Sequence, residues 1–401
     1  MFEGKLRKVY LDHSATTYVD KRVKEEMDKY YSQIFGNPSS FNDIGLDAKT
    51  ALDSARQKVA NILNAEPKEI IFTGGGTESI NLAIKGVARA LKEKGKHIIT
   101  SKIEHHAVLE TCGYLEKKEG FEITYLDVDR YGVVKLEDLK KAIRKDTILI
   151  SIMYANNEIG TIQPIEEIGK IAKENEIYFH TDACQVGCYL ILDVKKLNVD
   201  LMTLNGSKIY GPKGVGVLYI RKGTEIEPII HGGGQEFGLR SGTENIPGII
   251  GFTKALELAQ EDREKESKRL VKLRDKLVKG LLDIIPKTFL NGHPVNRLPN
   301  NVNVSILDIE GEAMLLYLNE HGIYASTGSA CSSTSLEPSH VILAIGLPYE
   351  AAHGSLRFTL GRKTSEEDIN YVLKKLPKIV DDLRQISPLN LNMEEIKNET
   401  V

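Results

Sequence analysis

Apolar residues recur at helical spacing over residues 46–64, where Ala48, Ala51, Leu52, Ala55, Val59 and Ile62 share one face and predict a helix with a buried stripe. A short strand, EIIF, is expected at 69–72, and Gly74-Gly75-Gly76-Thr77 then opens another amphipathic stretch through Leu91. The glycines therefore fall where a strand turns into a helix. Further strands are predicted at HIIT from 97, FEITYL from 121, TILISIM from 147, IYFHT from 177, DLMTL from 200 and GVGVLYI from 214. Most of these are continuous apolar runs and not alternating ones, as expected of strands covered by helices on both faces. The chain thus reads as an α/β protein with a mostly parallel sheet. After Pro247 the pattern becomes one long charged helix to about residue 284. A smaller α+β unit follows, with strands at NVNVSI and SLRFTL and helices near 310, 340 and 370. The expected division is a large domain over 15–260 and a small domain formed by 1–14 and 261–401. The polar tail from Ser387 is expected to fray.

Length supports that division, since 401 residues exceed one ordinary core and suit two packed domains. With 53 basic and 56 acidic residues the net charge is -3, which offers no electrostatic case for direct nucleic-acid binding or an anionic membrane. No run approaches the ~20 apolar residues of a membrane span, and MFEGKLRKVYLDHSATT lacks the apolar stretch of a signal peptide. The expected location is the cytoplasm. Cys112, Cys184, Cys188 and Cys331 do not make a disulfide framework and should remain thiols. Cys184 and Cys188 stand at i, i+4 spacing, which favours core packing on a helix over a metal site.

Several segments carry candidate chemistry. The glycine run ending at Gly76 and Thr77 either offers bare backbone N–H groups to a phosphate at a helix start or forms a simple tight turn. Lys208, in LMTLNGSKIYGPKGVG, sits just beyond an apolar strand, in a loop bounded by Gly206 and Gly211-Pro212. A Schiff base there requires surroundings that favour the free amine, since an ordinary lysine titrates near ~10.4. Asp182 ends the strand IYFHTDA, where a buried carboxylate pairs with a cation such as a protonated pyridine nitrogen, or else caps a helix. Gln185, three residues on, can reach a ring hydroxyl.

His105, in SKIEHHAVLE, can stack on an aromatic ring and move protons, or simply begin a helix. No metal is expected, because the His105-His106 pair lacks further ligands at a suitable spacing. Arg357 lies inside the apolar strand of GSLRFTLGR and needs either a bound carboxylate or an internal salt bridge. Cys331 stands in GIYASTGSACSSTSLEPSH, whose small and polar residues predict a mobile loop over about 326–338. An arm of about six residues extends roughly 20 Å. Such a cysteine can therefore visit one site and present itself at another.

Taken in order, these segments resemble cysteine desulfurases of the NifS/IscS type, in the class-V branch of fold-type I pyridoxal-phosphate transferases. The similarity runs from YLDHSATT to RFTLGR and includes the blocks GGGTESINLAIKG, EHHAVL, NNEIGTIQPI, HTDACQ, SKIYGPKGVG, HGGGQEFGLRSGTEN and STGSACSS. The resemblance implies Lys208 as the cofactor-bearing lysine, His105 as the ring-stacking acid/base, Asp182 at the pyridine nitrogen and Gln185 at the ring oxygen. It implies Gly76, Thr77, Asn205 and Ser207 at the phosphate, and Asn157 and Arg357 at the substrate carboxylate. Thr243 looks like the residue that reaches the phosphate of a second subunit, which implies a homodimer.

The activity so implied converts L-cysteine to L-alanine, with sulfur held as a persulfide on Cys331 and passed to an iron–sulfur scaffold protein or another acceptor, such as a tRNA-thiolating enzyme. A class-V aminotransferase, a selenocysteine lyase and a non-catalytic scaffold are the rival readings. Two departures stand out. Ser207 replaces the histidine that many relatives carry before the lysine, and Phe237 stands where relatives often have arginine.

Overall fold

The continuous apolar runs become the inner strands of a seven-stranded sheet in the computed structural model, which describes residues 7–327 and 338–391. Along the chain the strands are β1 Val9–Tyr10, β2 Ile70–Thr73, β3 His97–Ser101, β4 Glu122–Leu126, β5 Thr147–Ser151, β6 Tyr178–Asp182, β7 Leu201–Asn205, β8 Gly216–Ile220, β9 Thr288–Leu290, β10 Asn301–Ile306, β11 Ile323–Tyr324 and β12 Ser355–Thr359. The large sheet has the order β2-β8-β7-β6-β5-β3-β4. All neighbours are parallel except those of β8, which runs antiparallel to both β2 and β7. β3, β5 and β8 are buried along their whole length, whereas β4, at the rim, is buried only at its last residue.

A second, antiparallel sheet has the order β12-β10-β9, and β1 pairs in parallel with β11. The two sheets are joined by the 39-residue helix Ile246–Ile284, which begins with Pro247 in its first turn and Asn245 as its cap. It is roughly 60 Å long at 1.5 Å per residue. Its first part packs on the helices Lys21–Ser32 and Asp43–Leu63, and it also meets β9, β10 and the helix Glu366–Ile386. The boundary drawn at residue 260 falls inside this one helix.

One local expectation fails. Residues 184–189 form consecutive turns and not a helix, with Val186 N–H bonded to the Ala183 carbonyl and Tyr189 N–H to that of Val186. The cause lies upstream, where Asp182 Oδ1 accepts the Cys184 N–H at 2.9 Å and bends the chain as it leaves β6. Cys188 is buried in the core, as its spacing suggested, but Cys184 is not a core residue. It lines a cavity.

A buried ion pair fixes the segment that contains Phe237. Arg56 meets both Glu236 carboxylate oxygens, at 2.7 and 2.6 Å, and Glu236 Oε2 also accepts the Phe72 N–H at 2.8 Å. The guanidinium lies 4.9 Å from the Phe72 ring and 5.0 Å from that of Phe237. Glu236 and Phe237 both adopt positive φ, 48° and 58°, so the chain is strained at the point where this anchor holds it. Phe237, 55% exposed, therefore has a cation beside it after all, supplied by Arg56. Replacing Glu236 with Ala leaves Arg56 buried and unpaired, and should cost about 3–5 kcal/mol in denaturant unfolding. Arg56→Met combined with Glu236→Leu should recover most of that loss.

Candidate active site

Parallel strands deliver their carboxyl ends to one rim of a sheet, and most of the residues singled out in the sequence line one cavity there, Thr243 and Cys331 excepted. A cavity of ≈ 290 Å³ is lined by Gly76, Thr77, His105, Asn157, Asp182, Cys184, Gln185, Asn205, Lys208 and Arg357, together with Ser14 and Ala15. A wider cavity of ≈ 790 Å³ shares Ala15, Gly76, Thr77 and Asn205 with it and adds Gly74, Gly75, Ser207 and Lys213.

The glycine run leads directly into a helix, as its place after a strand suggested. Gly75, at φ 150°, precedes the helix Gly76–Ala90. A Cβ on Gly76 would lie 2.8 Å from Cys184 Sγ, so the helix start stays bare because only glycine fits against that wall. Asn205, at the end of β7, accepts the Ser207 N–H and hydroxyl, both at 3.2 Å. Those bonds set the turn that presents Lys208. Glu78 Oε2 accepts the Gly74 N–H at 3.0 Å and Glu78 Oε1 meets Arg240 Nε at 2.9 Å, which holds the glycine run from outside.

Lys208 Nζ donates to the Ser14 carbonyl at 2.8 Å and to that of Ala15. Gln185 Nε2 donates to the same Ser14 carbonyl at 3.1 Å. The Ser207 carbonyl in turn accepts Thr17 N–H and Oγ1–H at 2.8 and 2.9 Å. Residues 14–17 therefore strap the lysine loop. Asp182 ends β6 and is buried, with its Oδ1 on the Cys184 N–H; no helix follows for it to cap.

His105 does cap a helix, since its Nδ1 accepts the Ala107 N–H at 3.0 Å. The neutral ring consequently carries its proton on Nε2. Burial lowers the pKa of His105, with Lys208 and His106 acting in the same direction and Asp182 opposing them, so the neutral ring dominates at pH 7. Capping and a place in the cavity are compatible, because one nitrogen serves each.

At the opposite end of the cavity, Asn156 Oδ1 accepts the N–H groups of Glu158 and Ile159 at 2.8 and 2.9 Å, forming the turn that presents Asn157. Arg357, 3% exposed on β12, bonds the Asn157 carbonyl through Nη1 at 3.1 Å and Asp12 through Nη2 at 2.9 Å. The internal salt bridge is thus present, and the side chain also lines the cavity; its Nε is buried and has no hydrogen-bond partner among the described residues. Thr243 is exposed and lines neither cavity. Cys331 lies outside the described residues; upstream of it, Ser326 exchanges two backbone hydrogen bonds with Arg357, at 3.1 and 2.7 Å.

Asp12, Ser14, Ala15, Cys184 and Glu104 are the site residues that sequence reasoning did not assign. The visible signal was the polar run DHSATT directly after an apolar start, whose His13 and Ser14 are buried.

The Aminotransferase class-V family profile matches residues 9–372. A cysteine desulfurase IscS from Methanosarcina thermophila is 61% identical over 381 residues, which cover 95% of this chain and 94% of that protein. The chain belongs to the NifS/IscS-type cysteine desulfurases. Among solved structures, a NifS-like protein 44% identical superposes with a TM-score of 0.88 and covers 94% of this chain and 100% of its own. SspA in complex with cysteine is 40% identical with a TM-score of 0.77, covering 88% and 99%. The desulfurase family thus spans nearly the whole chain, including every strand of the large sheet.

Beneath this desulfurase cavity lies Glu104, fully buried, which accepts from Ser101 Oγ at 2.6 Å and from the Met153 N–H at 3.0 Å. Burial pushes its carboxyl up to about 8, and Asp182 adds to the rise. A carboxyl whose folded pKa exceeds its unfolded one holds a proton in the native state that the unfolded chain has released. Its contribution to stability must therefore fall as pH rises from about 4.5 to about 8. Glu104→Gln removes that titration. Unfolding free energies at pH 5 and pH 8 should show the wild type losing roughly 2–4 kcal/mol relative to the variant; parallel profiles would contradict an uncharged Glu104.

Proposed function

We propose that this chain is a homodimeric, cytoplasmic enzyme that converts L-cysteine to L-alanine, carries the sulfur as a persulfide on Cys331 and hands it to an acceptor for iron–sulfur cluster assembly or tRNA thiolation. The observation that carries the reading is the meeting of an amine, a buried carboxylate, an imidazole and a guanidinium in one cavity, on Lys208, Asp182, His105 and Arg357. The residues present fit pyridoxal phosphate. Gly76 leaves bare N–H groups at a helix start for the phosphate, with Thr77, Asn205 and Ser207 beside them. Asp182 offers a buried carboxylate to a protonated ring nitrogen, Gln185 an amide to the ring oxygen and His105 a face for stacking. When bound, this cofactor supplies an electron sink for the carbon that loses its proton.

The protein's own groups account for the rest of the reaction. Lys208 would hold the cofactor covalently, and its free amine would serve as the base that moves the α-proton. Arg357 and Asn157 orient the substrate carboxylate, so position is set before chemistry begins. His105, neutral with its proton on Nε2, exchanges protons near the thiol. The Cys331 thiolate then forms an S–S bond as the substrate C–S bond breaks, and the electron pair of that bond leaves with the carbon skeleton that becomes alanine.

Thr243 is exposed and apart from its own chain's cavities, which suits a residue that serves the phosphate of a second copy. Ser207 can bind phosphate but carries no charge, so weaker cofactor retention than in histidine-bearing relatives is expected. Among the described residues no helix is long and apolar enough to cross a membrane. Cys331→Ala is the test of the sulfur step. The variant should keep the cofactor's visible absorbance and its change on adding cysteine, while sulfide release with a thiol reductant drops at least ~100-fold. Wild-type sulfide release from that variant would sink the assignment of Cys331.

A further inference from the structure

The chain on either side of residues 328–337 has both of its feet on the residues around Arg357. Upstream, Ser326 is paired to the Arg357 backbone. Downstream, Ser339 caps the short helix His340–Ala344, where its Oγ accepts the Ile342 N–H at 3.2 Å. The hydroxyl proton of Ser339 goes to Glu158 Oε2. Glu158 is the residue after Asn157, whose carbonyl receives Arg357 Nη1. Its backbone is held on both sides, with its N–H on Asn156 Oδ1 and its carbonyl accepting the Asn301 and Asn303 side-chain amides at 2.9 and 3.2 Å. Around this contact Val341, Ile342 and Ile345 pack on Ile103, Met153 and Ile159. A carboxyl group buried in such surroundings is costly, and an apolar residue would satisfy the packing alone. The carboxyl provides two things an apolar residue cannot, the bond to Ser339 and an attraction to the Arg357 guanidinium, and only the first reaches the chain beyond residue 337.

We propose that Glu158 is a positioning residue for sulfur transfer, which through Ser339 fixes where the chain bearing Cys331 rejoins the fold relative to Asn157 and Arg357. The inference rests on the desulfurase reading and assigns Glu158 no contact with substrate or cofactor. His340, whose Nε2 lies 3.0 Å from the Glu104 carbonyl, ties the same foot to the His105 side of the cavity. Burial pushes the Glu158 carboxyl up to about 7, so glutamine is a close mimic of its uncharged form.

The test uses holoenzyme and two readouts, the spectral change on adding cysteine and the single-turnover rate of persulfide formation on Cys331. Glu158→Ala and Ser339→Ala should each slow persulfide formation ~10- to 100-fold, the scale of a misplacement of about 1 Å. KM for cysteine and the spectral change should stay within about 2-fold of wild type. The double variant should be no slower than the slower single one, because both remove one contact. Glu158→Gln should keep the rate within about 3-fold. Wild-type persulfide rates in Ser339→Ala, multiplied losses in the double variant, or equal losses in both readouts would each overturn the inference, including where Glu158→Ala does not fold. A wild type that forms no persulfide would instead sink the desulfurase reading, and this inference with it. Unaffected alanine variants beside an active wild type would sink the inference alone.

Discussion

The buried guanidinium of Arg357 is the interaction on which the site depends. It lies on β12 of the small sheet, yet its partners are Asp12 near the chain start and the Asn157 carbonyl beyond β5 of the large sheet, while its own backbone holds Ser326. Three segments distant in sequence are thereby fixed to one residue, two through its side chain and one through its backbone. Removing such a charge from water costs several kcal/mol and is offset only when its donors are met. Two of its nitrogens are met by the protein, and among the described residues Nε is not. The fold is thus organised around a cation that the chain holds from two sides at the wall of the cavity.

The lysine loop obeys the same economy from the other end of the cavity. Ser14 and Ala15 offer carbonyls to Lys208 and Thr17 reaches back to Ser207, so the strap that begins at Asp12 ties the guanidinium to the amine. β1 itself pairs with β11, immediately before Ser326. Electrostatics inside this frame follow burial. Burial favours the neutral ring of His105 and the uncharged form of Glu104. The directions of these shifts separate the roles of groups that sit within one small volume.

Much of this was legible in the sequence, and the failures have physical causes. The strands announced themselves as unbroken apolar runs, but such runs carry no direction, so the reversal of β8 within a parallel sheet could not be read. The i, i+4 spacing of Cys184 and Cys188 suggested a helix because spacing ignores local competition; the Asp182 carboxylate captures the Cys184 N–H and turns the chain instead. Ser14 and Ala15 act through backbone carbonyls, which leave no trace in residue type. Arg357 was open between a salt bridge and a ligand; the salt bridge to Asp12 is present, from a partner too far away in sequence to be read. The role of Thr243 came from resemblance to relatives, since a lone threonine has no chemistry of its own to read; Cys331 stood out as a thiol among small and polar residues, and the resemblance supplied its persulfide.

The strap over residues 14–17 presents Lys208 at the cavity, where it would be the lysine that holds the cofactor. Borohydride reduction of the holoenzyme makes a lysine–cofactor link permanent, and peptide mass mapping then locates it. The account predicts a single pyridoxyl-modified peptide, carrying the mass on Lys208. Modification of Lys213 or another lysine in its place, or no modified peptide from a sample loaded with pyridoxal phosphate, would contradict it.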